Sequence, residues 1–229
     1  MHTVAILSQK GGTGKTTLTL HLAVASELAG RAAAVIDLDP QASAAGWKDS
    51  RMAETPVVVP VPSSRLPQAL EAARAGGAVL TLIDTAPHAT DAALAAAEAA
   101  DLVLIPCRAG ILDLRAIGTT ARAVKLAGKP AYVVLNTMPS RAPNVLVDAR
   151  AAVAIHGLQV APFTMQQRVA YAHSLTAGQT AQEYEPLGKA ADEIAQIYAW
   201  LRRELEPLIA ILPAKRQASN KASPKYVAV

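Results

Sequence analysis

Cysteine is almost missing from this chain: Cys107 is the one thiol in 229 residues. An intrachain disulfide is therefore impossible, a cysteine-rich metal site is excluded, and a reducing cytoplasm is the expected compartment. Long apolar runs are missing too. No stretch reaches the roughly 18 residues of a membrane span. The first apolar run, residues 4–7, is far too short for a signal peptide and leads straight into a glycine-rich stretch. No internal repeat is visible. Acidic residues are lacking beyond Glu206, where Lys215, Arg216, Lys221 and Lys225 stand alone. These four account for the whole net charge of +4. The basic character thus belongs to the C-terminal tail, and is weak evidence for a polyanionic partner.

What remains is apolar and rich in alanine: 52% hydrophobic and only 17% charged, which suits a helix-rich globular chain and argues against disorder over most of its length. Apolar runs alternate with helical patterns. Strands are expected at 3–7, 33–36, 57–61, 79–83, 102–105, 132–135 and, briefly, 158–161. Helices are expected at 15–28 (ended by Gly30), 66–75, 92–99, 114–126 and 145–155. A long helix over 180–206 closes the series before Pro207. Continuous apolar strands separated by helices predict one α/β domain over 1–206: a mostly parallel, twisted sheet of about seven strands, helices on both faces and right-handed connections. Residues 207–229 read as a basic, flexible tail. The strand expected from residue 3 leaves no room for an N-terminal DNA-binding domain.

The first strand runs into Ser8-Gln9-Lys10-Gly11-Gly12-Thr13-Gly14-Lys15-Thr16-Thr17, which opens a helix. Strand, glycine loop and helix are the context of a P-loop NTPase fold. Gly11, Gly12 and Gly14 let the backbone turn tightly and aim its N–H groups inward, with Thr13 in the same cradle, and the helix N-terminus adds positive potential. Lys15 would reach the β- and γ-phosphates of ATP, Thr16 would place its hydroxyl on Mg²⁺, and Thr17 would touch the α-phosphate. The standard motif has glycine where this chain has Gln9. In its stead a second lysine, Lys10, stands at the start of the loop, placed to reach a nucleotide in a facing subunit.

Two acidic segments follow strands: Asp37-Leu38-Asp39-Pro40-Gln41 and Asp84-Thr85-Ala86-Pro87. Both fall on the sheet edge that carries the loop. Phosphoryl transfer needs a carboxylate in the magnesium shell and a group that orients the attacking water. Asp84 suits the first, through a water. Asp39 suits the second, and Asp37 would support Lys15 or the metal shell.

Together these segments resemble the ParA/MinD family of deviant Walker A ATPases, most closely its small ParA (ParF-like) partition branch. Leu104-Ile105-Pro106 running to Asp113 is similar to the family's next block. Phe163-Thr164-Met165-Gln166-Gln167-Arg168 is similar to the loop that packs on the base, which would make Met165 and Gln167 nucleotide contacts. The likeness spans about residues 3–206. It implies MgATP binding and an ATP sandwich homodimer in which Lys10, matching the family's signature lysine, touches the partner's nucleotide. It also implies Asp39-dependent hydrolysis, slow and partner-stimulated. The ATP-bound dimer would bind DNA without sequence preference, and a ParB-like, centromere-binding or cargo-adaptor protein would trigger release. The expected role is plasmid or chromosome partition by a cytoplasmic, nucleoid-associated protein. The alternative is positioning of a protein cargo, a chemoreceptor cluster or carboxysome.

Candidate DNA contacts are Arg122, Lys125, Lys129, Arg150, Arg202 and Arg203, each weighed against an ordinary solvated charge. Arg168 would serve nucleotide or DNA. His88 reads as an exposed loop residue, Cys107 as a packed thiol, and Trp47 as lying after Asp39 near a dimer face or packed on the domain. A MinD-like membrane role needs an amphipathic C-terminal helix, and residues 208–212 between Pro207 and Pro213 are too brief for one, so no membrane partner is expected. The iron-protein branch needs two cysteines per subunit and fails on composition.

Overall fold

The computed structural model describes residues 1–139 and 143–211. Seven strands form one parallel sheet: β1 (His2–Ile6), β2 (Ala33–Asp37), β3 (Val57–Pro60), β4 (Leu80–Asp84), β5 (Leu102–Arg108), β6 (Ala131–Asn136) and β7 (Gln159–Val160). Their order is β3-β2-β4-β1-β5-β6-β7. The chain leaves β1 for β2 two places away, then returns through β4 beside β1 before stepping out to β5. The strand order therefore reverses around β1, and the carboxyl end of β1 faces the crevice where α/β sheets take ligands.

Side chains alternate across the sheet with period two. Val4, Ile6, Leu82 and Leu104 belong to one buried core, with α1 (Lys15–Leu28), α2 (Ser43–Asp49) and α9 (Lys189–Ile211). Ala5, Leu7, Ile83 and Ile105 belong to the other, with α3 (Leu66–Ala75), α4 (Thr90–Ala99), α5 (Ile111–Ala127) and α6 (Pro143–Ala154). Burial on both faces explains why the strands read as continuous apolar runs rather than alternating ones.

Four departures from the sequence expectation stand out. The segment after Asp39 is not only loop: it contains α2, which carries Trp47, 6% exposed in the first core and not on a free face. A further helix, α7 (Val169–Thr176), follows the 163–168 loop. The helix expected over 180–206 is split into α8 (Ala181–Tyr184) and α9. Pro186 and Gly188 sit in the break, where proline lacks an N–H and disfavours helical backbone before it. Pro207 does not end α9, which continues to Ile211. Residues 212–229, with all four lysines and arginines of the expected tail, lie outside the described residues.

Candidate phosphate-binding site

Register brings the acidic strand ends together. Asp37 pairs with Asp84 across β2 and β4, and Asp84 stands beside Ile6, the last residue of β1. The loop from Ser8 to Gly14 then arches over these ends into α1. Gly12 and Gly14 take φ of 69° and 93°, and a Cβ on Gly14 would collide with the Asn136 side-chain amide. That amide donates to the Thr13 carbonyl at 2.9 Å, so Asn136, buried at the end of β6, fixes the loop from below. The Gln9 N–H donates to the Thr120 hydroxyl at 3.4 Å, and the His88 N–H donates to the Gln9 carbonyl at 3.2 Å. His88 itself is exposed, as expected.

Lys15 is 7% exposed. Its Nζ lies 3.5 Å from the Lys10 carbonyl. Burial lowers its pKa, and the carboxylates of Asp84 and Asp39 oppose that fall. Asp84 is 1% exposed and neither of its oxygens has a hydrogen-bond partner. Burial lifts its pKa to about 7, Asp37 and Asp39 add to the rise, and the Thr16 hydroxyl and Lys15 pull it down. Thr16 stands beside the carboxylate without a well-formed hydrogen bond. A buried carboxylate with two orphan oxygens next to a threonine hydroxyl fits the outer shell of a hydrated divalent cation. Among the described residues no group of three or more His, Cys, Asp or Glu is placed to cage a metal. That donor set suits magnesium held mainly by water and phosphate, not an all-protein site.

The other two aspartates have different surroundings. Asp37 accepts N–H groups from Asp39 and Ala44 at 3.0 Å and from Ala45 at 3.4 Å. Burial raises its pKa and these backbone bonds offset the rise. Asp37 is therefore spent on the start of α2 and does not touch Lys15. Asp39 is half-buried, and its Oδ1 accepts the Gln41 N–H at 2.9 Å, which leaves Oδ2 for a water.

Lys10 does not point at its own loop. Its Nζ lies 2.7 Å from Asp113 Oδ1, in the first turn of α5. In the sequence Asp113 carries no signal beyond the end of a family-like block, and no motif marks Arg108 or Asn136. A Cβ on Gly12 would stand 3.4 Å from Arg108 Nη2, so β5 sets a guanidinium over the apex of the loop. No spacing rule links either residue to the motif, because each arrives from a different strand end.

Met165 and Gln167 are placed unequally. Met165 is fully buried in the first core, its N–H given to the Leu135 carbonyl and its own carbonyl taken by Met138. Its side chain packs in that core. Gln167 is exposed, with its N–H bonded to the Met138 carbonyl. Arg168 is paired with Glu193 at 2.6 Å, and Glu193 also takes the Gln166 N–H and the Tyr171 hydroxyl. Arg168 is thus committed to holding its loop on α9. Of the DNA candidates, Arg122 and Lys125 are exposed on α5, Arg150 on α6 and Arg203 on α9. Lys129 donates to the Ala100 carbonyl at 2.7 Å and Arg202 pairs with Glu206 at 3.4 Å. Since α5 and α9 cover opposite faces of the sheet, the six do not form one patch within a protomer. Cys107 is buried and burial pushes its thiol up to about 12, so it is a packed, unreactive group.

Comparison with known proteins agrees with this geometry. Residues 4–181 match the CobQ/CobB/MinD/ParA nucleotide-binding domain family. A maintenance of carboxysome distribution protein A from Gloeobacter kilaueensis is 33% identical over 206 residues, covering 89% of this chain and 93% of the relative. Among solved structures, the septum site-determining protein MinD with Mg-ADP from Pyrococcus horikoshii superposes with a TM-score of 0.70 at 19% identity, over 90% of this chain and 98% of that one. A Cyanothece McdA variant in complex with ATP gives 0.65 at 17% identity, over 93% and 97%. At these identities the two structures establish the shared fold.

Proposed function

The chain belongs to the CobQ/CobB/MinD/ParA nucleotide-binding family, and we propose that it is a ParA-like ATPase whose MgATP-bound dimer positions a protein cargo along DNA. The observation that carries the ATP switch is the direction of Lys10. A lysine at the entrance of a phosphate loop that pairs with Asp113 and not with its own phosphate site has a second place to go. That place is the polyphosphate of a facing protomer, where an added cation at the γ-phosphate is worth about 10³ to 10⁵ in rate. Dimerisation and hydrolysis are then one event.

Within each protomer, Lys15 and the N–H groups of residues 11–17 bind the phosphates. The Thr16 hydroxyl and Asp84 would hold magnesium, which when bound would neutralise charge developing on the transferred group. Asp39 orients the water that attacks. Gln167, exposed beside the end of β6, is the remaining candidate for the base. Release of phosphate lets Lys10 return to Asp113 and the dimer part.

For the cargo, likeness to the Gloeobacter maintenance of carboxysome distribution protein A favours a protein assembly over a plasmid or chromosome. DNA binding, an adaptor that stimulates hydrolysis and a nucleoid location complete this reading. Among the described residues no helix is long and apolar enough to cross a membrane.

The test has two arms. Retardation of two unrelated duplexes by the purified protein, with ATP, with ADP and without nucleotide, should show binding to both with ATP alone, weakening as salt rises. Binding that ignores the nucleotide would sink the switch on DNA. In the host, deletion of the gene should cluster a large protein assembly while plasmids are retained; plasmid loss with normal assemblies would return the reading to partition.

A further inference from the structure

Arg51 follows α2, and its side chain is only 4% exposed. Each guanidinium nitrogen is engaged. Nε donates to the Thr55 carbonyl at 2.7 Å, Nη1 to the Gly178 carbonyl at 3.2 Å and to Glu183 Oε2 at 2.9 Å, and Nη2 to Glu183 Oε1 at 2.6 Å. The guanidinium carbon stands 4.9 Å over the Trp47 ring. Desolvation offsets much of the attraction in such a buried pair, so its effect is chiefly geometric: a planar fork against a carboxylate sets direction as well as distance. Two further contacts fix the same joint. Trp47 Nε1 donates to the Gln179 carbonyl at 3.2 Å. Ser50 approaches Gly178 so closely that any Cβ there would strike its carbonyl. The far end of α2 is thereby fastened to the turn before α8.

The near end of α2 is fastened to the candidate site. Asp37 takes the N–H groups of Ala44 and Ala45, and also that of Asp39. Asp39 lies between β2 and α2, so its place depends on where α2 is held.

Helix α8 is in turn tied to the phosphate loop's helix. The Ala181 N–H donates to His21 Nε2 at 3.0 Å, and Gln182 Nε2 donates to the His21 carbonyl at 2.9 Å. A backbone amide is a donor only, so Nε2 is the acceptor and the proton sits on Nδ1, which donates to the Thr17 carbonyl at 2.7 Å. Complete burial keeps the ring uncharged, with its pKa lowered to about 4. The Tyr171 ring packs edge-on at 5.2 Å. An unbroken path of short contacts thus runs from Thr17, two residues past Lys15, through His21, Ala181, Glu183, Arg51 and α2 to Asp39.

We propose that Arg51, Glu183 and His21 are positioning residues for hydrolysis, bracing α2 and the Asp39 loop against the first turn of α1. The proposal rests on the ATPase reading above. Phosphates are held by Lys15 to Thr17 and the attacking water by Asp39, so the brace sets the distance between them. Misplacement of a reacting group by about 1 Å can cost about 100-fold in rate, whereas binding through the loop itself is untouched.

The experiment compares the full chain with Arg51→Lys and His21→Asn under saturating MgATP. Three quantities are read: the turnover number for hydrolysis, the affinity for a fluorescent ATP analogue, and the melting curve. Arg51→Lys keeps the charge and loses the fork. His21→Asn keeps a donor toward Thr17 and loses the acceptor for Ala181. Each should lower the hydrolysis rate by at least about tenfold, with nucleotide affinity within about threefold of wild type. An unchanged rate, or a rate and affinity that fall together as the melting point falls, overturns the proposal. If both variants fold poorly, Trp47→Phe carries the test. It keeps an aromatic face under Arg51 while removing the indole bond and part of the ring's packing volume, so a drop of about fivefold at unchanged nucleotide affinity is expected, and an unchanged rate overturns the brace. No hydrolysis by the wild type would sink the ATPase reading and this proposal with it; wild-type turnover with unaltered variants would sink this proposal alone.

Discussion

Asp84 holds two buried oxygens without a partner beside a buried lysine, and the fold carries that as a cost. Its carboxyl is raised from 3.8 to about 7, so the folded chain binds more protons than the unfolded one between those values. Apo stability contributed by this group is therefore present near pH 4 and declines as pH rises through 7, by about 1.4 kcal/mol per pH unit. Asp84→Asn should raise the apo melting point at pH 8 and abolish magnesium-dependent nucleotide binding. A lower melting point would mean that the carboxylate is structural. In the wild type, nucleotide affinity in magnesium should weaken as pH falls below 7, because a protonated Asp84 cannot serve the cation; a flat profile in a titration would contradict that. His21 works in the opposite sense. Its folded pKa of about 4 lies below the ordinary 6.5, so its contribution is full above 6.5 and is lost as pH falls toward 4. Lys15→Ala should lose nucleotide binding, measured by the fluorescent analogue. Asp39→Ala should bind MgATP with near wild-type affinity and stop hydrolysing it. Wild-type turnover in that variant would assign the attacking water to another residue.

Elements decide which of these residues can meet. The helix of the phosphate loop was legible in the sequence because Lys15 opens an unbroken pattern that Gly30 ends, and α1 spans Lys15–Leu28 as expected. Helix α2 was not. Its sequence, SAAGWKD, is seven residues long with a glycine inside, and it is held in place by Asp37 at one end and Arg51 at the other rather than by propensity. The first turn of α5 carries no sequence signal beyond its likeness to a family block, yet its Asp113 receives Lys10. Lys10 is 42% exposed on its side chain, so the ion pair is weak, worth at most about 1 kcal/mol. Asp113→Asn should accordingly favour the ATP-dependent dimer by up to about fivefold, while Lys10→Ala should bind ATP and dimerise poorly. Light scattering with and without ATP checks both, and an unchanged dimer in Lys10→Ala would remove the sandwich.

On the scale of the whole molecule, one parallel sheet divides the chain into two cores, and the reversal of strand order around β1 collects the loop, Asp37, Asp39 and Asp84 at a single edge. The basic side chains are distributed instead. Those on α5 and α6 share one face and those on α9 lie on the other, so a DNA surface that used both sets would have to be completed by a second protomer. DNA affinity should then depend on ATP and on protein concentration more steeply than one-to-one binding allows. Simple one-to-one isotherms in ATP would show that a protomer suffices.

The sequence by itself determined the α/β class, the strand–loop–helix that carries Lys10 to Thr17, and the acidic strand ends, because each is written in contiguous residues whose period or spacing encodes local geometry. Only the tertiary structure decided what those residues face. Strand register set Asp37 against Asp84, β5 and β6 brought Arg108 and Asn136 to the glycine loop, and packing buried Met165 in the first core. Helix α8 joined Arg51 to His21, although Ala181 stands 160 positions after His21 in the chain. Such meetings depend on the order in which strands lie side by side, which no local pattern records.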